Sequence, residues 1–173
     1  MGLSASKRVK TNLHNSSEFN SACDSVYANC LSITQHAFTG VKPYQLFSAT
    51  EHLHSILSQS LPLISKWVPL PPDRGQVDRA LRTVIRSRRS GSNPVHEEEV
   101  LLDEVDFKEF AVDVFGDAVV LGAGKEVSKR LPIGVAGIAG VGLVVKPGKG
   151  VLAAAIGAYA LGVATSVYLE LAA

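Results

Sequence analysis

Two apolar stretches near the C-terminal end constrain the fold of this chain more than any other feature. They read LPIGVAGIAGVGLVV over residues 131–145 and VLAAAIGAYALGVATSVYL over residues 151–169, and neither contains a charged side chain. As helices they would be about 22 and 28 Å long at a rise of about 1.5 Å per residue. The hydrocarbon core of a bilayer is about 30 Å thick. The second stretch is therefore nearly long enough to span a membrane, and the first is not.

The segment KPGKG over residues 146–150 predicts a tight turn between these stretches, because proline cannot continue a helix and glycine gives the backbone freedom. We therefore predict an apolar, Gly/Ala-rich helical hairpin over residues 131–173. Small residues recur at helical spacing, as in Ala153 with Gly157, and such pairs let helices approach closely in lipid. The glycines predicted to serve this packing are Gly134, Gly137, Gly140, Gly157 and Gly162.

Two environments suit such a hairpin. It is either associated with a membrane, as a re-entrant hairpin or a single span by residues 151–169, or it is the buried centre of a soluble helical domain. The density of glycine favours the membrane, since glycine forms helices poorly in water. The basic residues that precede the second stretch favour a cytosolic N-terminal side for a single span. They are Lys125, Lys129, Arg130, Lys146 and Lys149.

The first six residues, MGLSAS, fit the M-G-x-x-x-[ST] pattern of N-myristoylation, with Gly2 as the acyl acceptor. The basic residues Lys7, Arg8 and Lys10 follow, and we predict that they contact an anionic membrane surface. One myristoyl chain binds membranes only marginally, so a second signal is needed, and the hairpin can supply it. Residues 1–15 are predicted to be a flexible, myristoylated arm.

The composition limits the other function classes. A net charge of +1 and 6% aromatic residues argue against a nucleic-acid partner. Cys23 and Cys30 lie seven residues apart, about 10 Å along a helix, which is too far for a disulfide. We interpret them as buried free thiols in a reducing compartment, with palmitoylation as the alternative. The first 15 residues lack the apolar core of a secretory signal.

Residues 16–130 show the spacing of three and four that predicts helices. The predicted helices cover residues 18–39 after caps at Asn15, Ser16 and Ser17, then 44–59, then from 73 or 76 to 88, and a fourth from the acids at 97–99 to a break at Pro132. The fourth carries the apolar stripe Phe107, Phe110, Val114 and Phe115. The third has an outer face that we interpret as solvated, with a membrane surface or calmodulin as alternative partners. The arginines on this face are Arg79, Arg82, Arg86, Arg88 and Arg89. The predicted fold is all-α, a helical bundle of paired helices followed by the hairpin.

The phrase LDEVDFKEF over residues 102–110 resembles the exit side of an EF-hand, and the likeness to N-myristoylated calcium sensors extends over residues 17–116. If Asp106 takes the last ligand position, Val95 stands at the first and Val100 at the place of the required glycine. Besides Asp106, the carboxylates on ligand positions are Glu97, Glu99 and Asp103. The linker at residues 39–44 has no carboxylate. The resemblance implies an EF-hand-like fold, and these departures predict no specific calcium or other metal site.

Catalytic patterns are missing from the sequence. It contains no Cys-x-x-Cys, H-E-x-x-H or G-x-S-x-G, and Gly122-Ala123-Gly124-Lys125 lacks the spacing of a phosphate loop. We therefore predict no enzyme, no catalytic residues and no cofactor. The predicted function is that of a lipid-anchored adaptor or regulatory protein on the cytosolic face of the plasma membrane or an endomembrane, with lipids and another protein as partners. The alternatives are a degenerate calcium-sensor relative and a membrane-remodelling or pore-forming hairpin protein.

Overall fold

The computed structural model describes residues 2–35, 37–91, 100–145 and 149–171. Helices account for 85% of the structure, and the described residues contain no strand, which confirms the all-α prediction. The helices are α1 (Gly2–Asn15), α2 (Ser17–Ile33), α3 (Leu46–Ser60), α4 (Pro62–Trp67), α5 (Arg74–Gly91), α6 (Glu104–Val145) and α7 (Lys149–Glu170), with a 3-10 turn at Pro43–Gln45 before α3. The acids at 97–99, predicted to open the fourth helix, lie outside the described residues.

The chain divides into two compact units, here called the N-terminal unit (Met1–Val120) and the C-terminal unit (Leu121–Ala173). Helix α6 contributes residues 104–120 to the first and 121–145 to the second. The sequence predicts a boundary ten residues later, at a helix break before Pro132. That break is wrong, because α6 continues with Pro132 in its interior. A proline inside a long helix removes one backbone hydrogen bond, and such a loss need not end the helix.

Helix α1 replaces the predicted flexible arm. Val9 and Leu13 are 0% and 2% exposed, and they lie four residues apart on one face of the helix. Two apolar residues give too weak a pattern to predict a helix from sequence. Short helices gain most of their stability from tertiary packing, and the burial of these two side chains supplies that packing here. The prediction of a flexible conformation for these residues is therefore wrong.

The start of α2 follows the predicted capping. The side chain of Ser16 accepts a hydrogen bond of 3.2 Å from the backbone N–H of Phe19, as an N-cap residue does. The helix ends at Ile33, six residues before the predicted end at 39. Gln35 has a φ of 50°, in the left-handed region that terminates helices, and its N–H donates to the carbonyl of Ser32.

Aromatic side chains of α2 and α6 form the core of the N-terminal unit. Phe107, Phe110 and Phe115 are fully buried and Val114 is 1% exposed, which confirms the predicted stripe. The rings of Phe19 and Phe115 meet edge to face with centroids 6.2 Å apart, a geometry that aromatic pairs favour. The predicted periodicity therefore identifies the face of α6 that holds the unit together.

We predict that Phe110→Ala lowers the free energy of unfolding of the N-terminal unit by about 3–5 kcal/mol, since Phe110 is fully buried. Urea unfolding of the intact protein, followed by the fluorescence of its single tryptophan, Trp67, measures this. Val105→Ala is the matched control on the same helix, because Val105 is 67% exposed. It should change the free energy by less than about 0.5 kcal/mol. Equal unfolding midpoints for the two variants would contradict the assignment of Phe110 to the core.

Candidate functional site

Helix α7 has the length and composition of a membrane span. Its 22 residues reach about 33 Å, and the charged residues Lys149 and Glu170 stand only at its ends. In the described part of the chain, one 18-residue window, Ala153–Glu170, meets these criteria with a mean hydropathy of 1.3, and only 6% of it is buried. Val151, Leu161 and Leu169 are each more than 60% exposed. An apolar core helix of a soluble domain would be mostly buried, and α7 is not.

The glycines predicted to pack within the hairpin fall into two groups. A Cβ atom added at Gly157 or Gly162 would meet no heavy atom of the described structure within 4 Å. The packing role of these two glycines stays a prediction, because most side chains of the other half of the predicted hairpin lie outside the described part of the structure. Gly134, Gly137 and Gly140 lie within α6, and their surroundings are outside the described part of the structure.

The three basic residues that are predicted to contact a membrane surface have different surroundings on α1. Gly2 is the first residue of α1, and Lys7 and Arg8 are exposed. Lys10 instead places its Nζ 2.7 Å from Asp113 Oδ1 and 2.9 Å from Asp117 Oδ1, both on α6. Its charge is thus neutralised within the unit, which corrects the predicted contact with lipid.

The pairing of Lys10 also changes its titration and the approach of α1 to α6. Burial alone would lower the pKa of Lys10, but the hydrogen bonds to Asp113 and Asp117 outweigh burial and hold the pKa above its usual value. A Cβ at Gly116 would lie 2.6 Å from Lys10 Cγ. A side chain at position 116 would therefore displace the aliphatic part of Lys10.

Two loops of the N-terminal unit meet at a single antiparallel bridge. One loop lies between α2 and α3 and the other between α5 and α6. The N–H of Val41 donates to the carbonyl of Leu102 at 2.8 Å, and the N–H of Leu102 donates to the carbonyl of Val41 at 2.9 Å. Both side chains are almost fully buried. The bridge therefore joins two helix–loop–helix pairs through their backbones.

Gly40 makes this close approach possible. A Cβ at position 40 would lie 2.5 Å from the backbone oxygen of Leu102 and 2.9 Å from its carbonyl carbon, so only a residue without a Cβ fits. In the sequence, Gly40 directly follows the helix predicted over residues 18–39, where a glycine is typical of a helix end. Its contact with a residue 62 positions away leaves no signal in a local pattern.

Side chains a few residues after each half of the bridge take part in hydrogen bonds with nearby backbone groups. Asp103 Oδ1 accepts from the N–H of Asp106 at 2.9 Å and so caps α6. Gln45 is buried, and its Oε1 accepts from the N–H of Lys42 at 3.0 Å while its Nε2 donates to the carbonyl of Cys30 at 3.0 Å. Within the described residues there is no group of three or more His, Cys, Asp or Glu side chains that could hold a metal ion. Val95, Glu97 and Glu99 lie outside those residues.

Both cysteines are buried free thiols, as predicted. Burial raises the pKa of the Cys23 thiol to about 12 and also raises the pKa of Cys30. Because the thiolate is the reactive species, neither side chain is suited to nucleophilic chemistry or to acylation in the folded unit. Beside Cys30, a groove of about 240 Å³ lies between α2 and α3, with the exposed side chains Ile33 and Tyr44 at its edge.

Comparison with protein-family models, with curated proteins and with solved structures found no match for this chain. Any assignment of function therefore depends on the chemistry of the two features above, the exposed apolar helix α7 and the bridged loops.

We predict that Gly40→Ala destabilises the N-terminal unit by about 1–3 kcal/mol, because the added methyl group must push the two bridged loops apart. Urea unfolding followed by Trp67 fluorescence is the measurement. Gly75→Ala is the control, since a Cβ there meets only the side-chain tip of Asp73, at 3.2 Å. It should change the free energy by less than about 0.5 kcal/mol. A Gly40→Ala protein as stable as the control would show that the loops are not held as described.

Proposed function

We propose that this protein is a non-enzymatic, lipid-anchored adaptor that holds its N-terminal unit at the cytosolic face of a membrane, where the unit binds a protein partner. The observation that carries the proposal is the exposure of α7. This helix is charged only at its two ends and is long enough to cross a bilayer core of about 30 Å, and 6% of its apolar window is buried. In water this surface would be hydrated at a large cost, and in lipid it is in its preferred solvent.

The N-terminal residues support attachment from the other end of the chain. Gly2 stands in an acylation pattern, and Lys7 and Arg8 are exposed on α1, whereas Lys10 pairs with two carboxylates of α6. A myristoyl chain binds membranes with a constant of only about 10⁴ M⁻¹, and each basic residue adds about 1 kcal/mol near an anionic leaflet. These contributions are reversible, so α7 is the stronger of the two attachments.

The distribution of charge along the chain supports the orientation. Four basic residues between positions 125 and 146 precede α7, and a fifth, Lys149, is its first residue. After residue 149 the printed sequence has one charged residue, Glu170. Cytoplasmic flanks of membrane spans carry an excess of lysine and arginine. The N-terminal unit, on the basic side of α7, is therefore assigned to the cytosol, and its groove between α2 and α3 offers a concave surface there.

A calcium-dependent sensor is the second candidate. The observation that favours it is the bridge between Val41 and Leu102, which pairs two helix–loop–helix units in the manner that the EF-hand resemblance implies. The loss of oxygen ligands and of the glycine at the bend weighs against it. Calorimetry separates the candidates: calcium binding tighter than about 100 μM would favour the sensor.

We predict that α7, and not the acyl chain, fixes the protein in the membrane. Three proteins made in a eukaryotic cell are compared after an alkaline carbonate wash: wild type, Gly2→Ala, and a chain truncated after Arg130. Wild type and Gly2→Ala should stay with the membranes, and the truncated chain should be extracted. Intact mass checks that the myristoyl group is present in wild type and absent from Gly2→Ala.

A charged substitution in α7 provides a second test of the proposed anchor. Leu161→Arg should weaken retention, because an arginine near the centre of a span costs about 2.5–3.5 kcal/mol. Leu70→Arg is the matched control, since Leu70 is 76% exposed in the N-terminal unit. Retention of the truncated chain, or complete solubility of Gly2→Ala, would contradict the proposed anchor.

A further inference from the structure

The side chain of Arg88 reaches across from α5 to three oxygen atoms at the start of α6. Its Nη1 donates to the carbonyl of Leu101 at 3.0 Å. Its Nη2 lies 3.6 Å from Asp103 Oδ2 and forms an ion pair with Asp106 Oδ2. The Asp106 side chain is only 11% exposed, against 62% for Asp103. The guanidinium group of Arg88 therefore neutralises the buried carboxylate of Asp106 and also contacts one oxygen each of Leu101 and Asp103.

These three oxygens come from positions that a calcium loop uses as ligands. Such a loop supplies a backbone carbonyl at its seventh position, an oxygen at its ninth and a carboxylate at its twelfth. With Asp106 as the twelfth residue, Leu101 is the seventh and Asp103 is the ninth. We propose that the guanidinium of Arg88 is the resident cation of the oxygen cluster formed by Leu101, Asp103 and Asp106, and that it takes the place that a divalent ion would occupy there.

The chemistry of arginine suits that role. The guanidinium group stays protonated throughout the physiological pH range and presents five N–H donors in a fixed planar fork, so it can bind a carbonyl and two carboxylates at once. Asp106 Oδ2 is fully buried, and a buried carboxylate without a cation is strongly unfavourable. Arg88 removes that penalty permanently, whereas a metal ion would remove it only when bound.

In the loop between α2 and α3, the residue that corresponds to Asp106 is uncharged. Four residues after Val41 stands Gln45, and four residues after Leu102 stands Asp106, so the bridge brings the two into corresponding positions. Gln45 has a neutral amide whose oxygen and nitrogen both bond to the backbone, at Lys42 and Cys30. Gln45 is thus held by hydrogen bonds to the backbone, whereas the buried Asp106 has the charge of Arg88 as its partner. The bridge between Val41 and Leu102 is therefore kept in the absence of calcium, and the partner surface of the N-terminal unit does not depend on calcium.

The test removes the guanidinium group of Arg88 and determines whether calcium can replace it. Melting temperatures of the intact protein in mild detergent are recorded by Trp67 fluorescence, once with a chelator and once with about 5 mM calcium chloride. This concentration exceeds the dissociation constants of weak calcium loops, which are about 10⁻⁴–10⁻³ M. Wild type should melt at the same temperature in both. Arg88→Ala should melt about 5–10 °C lower with chelator, and calcium should recover part of the loss. Arg82→Ala, on the exposed face of the same helix, should match wild type in both conditions.

Arg88→Lys serves if the alanine variant does not fold. Lysine keeps the charge but lacks the planar fork, so its melting temperature should fall less and its response to calcium should be smaller. A rise in the melting temperature of wild type with calcium would overturn the proposal, because the ligands would then be free for a metal. A loss in the Arg88 variants that calcium does not restore would also overturn it, since Arg88 would then be an ordinary ion-pair partner. The inference concerns the N-terminal unit and does not depend on membrane attachment.

Discussion

The N-terminal unit depends on the two backbone hydrogen bonds that join Val41 and Leu102. They connect loops that are about sixty residues apart in sequence, and each loop lies between two helices. The bridge is possible because Gly40 has no side chain to separate the backbones. Closing a loop of this length costs conformational entropy, which the burial of Phe107, Phe110 and Phe115 directly after the bridge offsets.

Charge compensation in this unit is internal. Lys10 on α1 meets two carboxylates of α6, and Arg88 on α5 meets two more at the start of α6. In both cases a helix remote in sequence is attached to α6 by a cation that the sequence alone assigns to the surface. The first third of α6 is therefore the element on which α1 and α5 converge by ion pairs. These contacts use charges that would otherwise be available to lipid, nucleic acid or metal ions.

The sequence predicts those parts of the fold that depend on local periodicity. The stripe at Phe107 and Phe110 and the cap at Ser16 are confirmed because both signals lie within one or two helical turns. The helical state of residues 2–15 was not predictable, since only Val9 and Leu13 mark it and its stability comes from packing. The roles of Gly40, Lys10 and Arg88 escaped for a related reason: their partners lie 13 to 107 positions away, where no spacing rule applies.

The two units differ in how much of their apolar surface they bury. The N-terminal unit is organised around the fully buried rings of Phe19, Phe107, Phe110 and Phe115. In α7, only 6% of the apolar window Ala153–Glu170 is buried. An exposed apolar surface on this scale is typical of a membrane or partner contact. The proposed function depends on the first of these, a bilayer around α7 with the N-terminal unit outside it.

Fluorescent labelling of single introduced cysteines tests that claim most directly. Cys23 and Cys30 are buried, so a polarity-sensitive probe can be attached selectively at Leu161→Cys in α7 or, as the control, at Thr83→Cys on the exposed face of α5. In lipid vesicles, we expect the probe at position 161 to be quenched by nitroxide groups on the lipid chains and protected from aqueous iodide. The probe at position 83 should show the reverse. Equal quenching of the two probes by iodide would contradict the account.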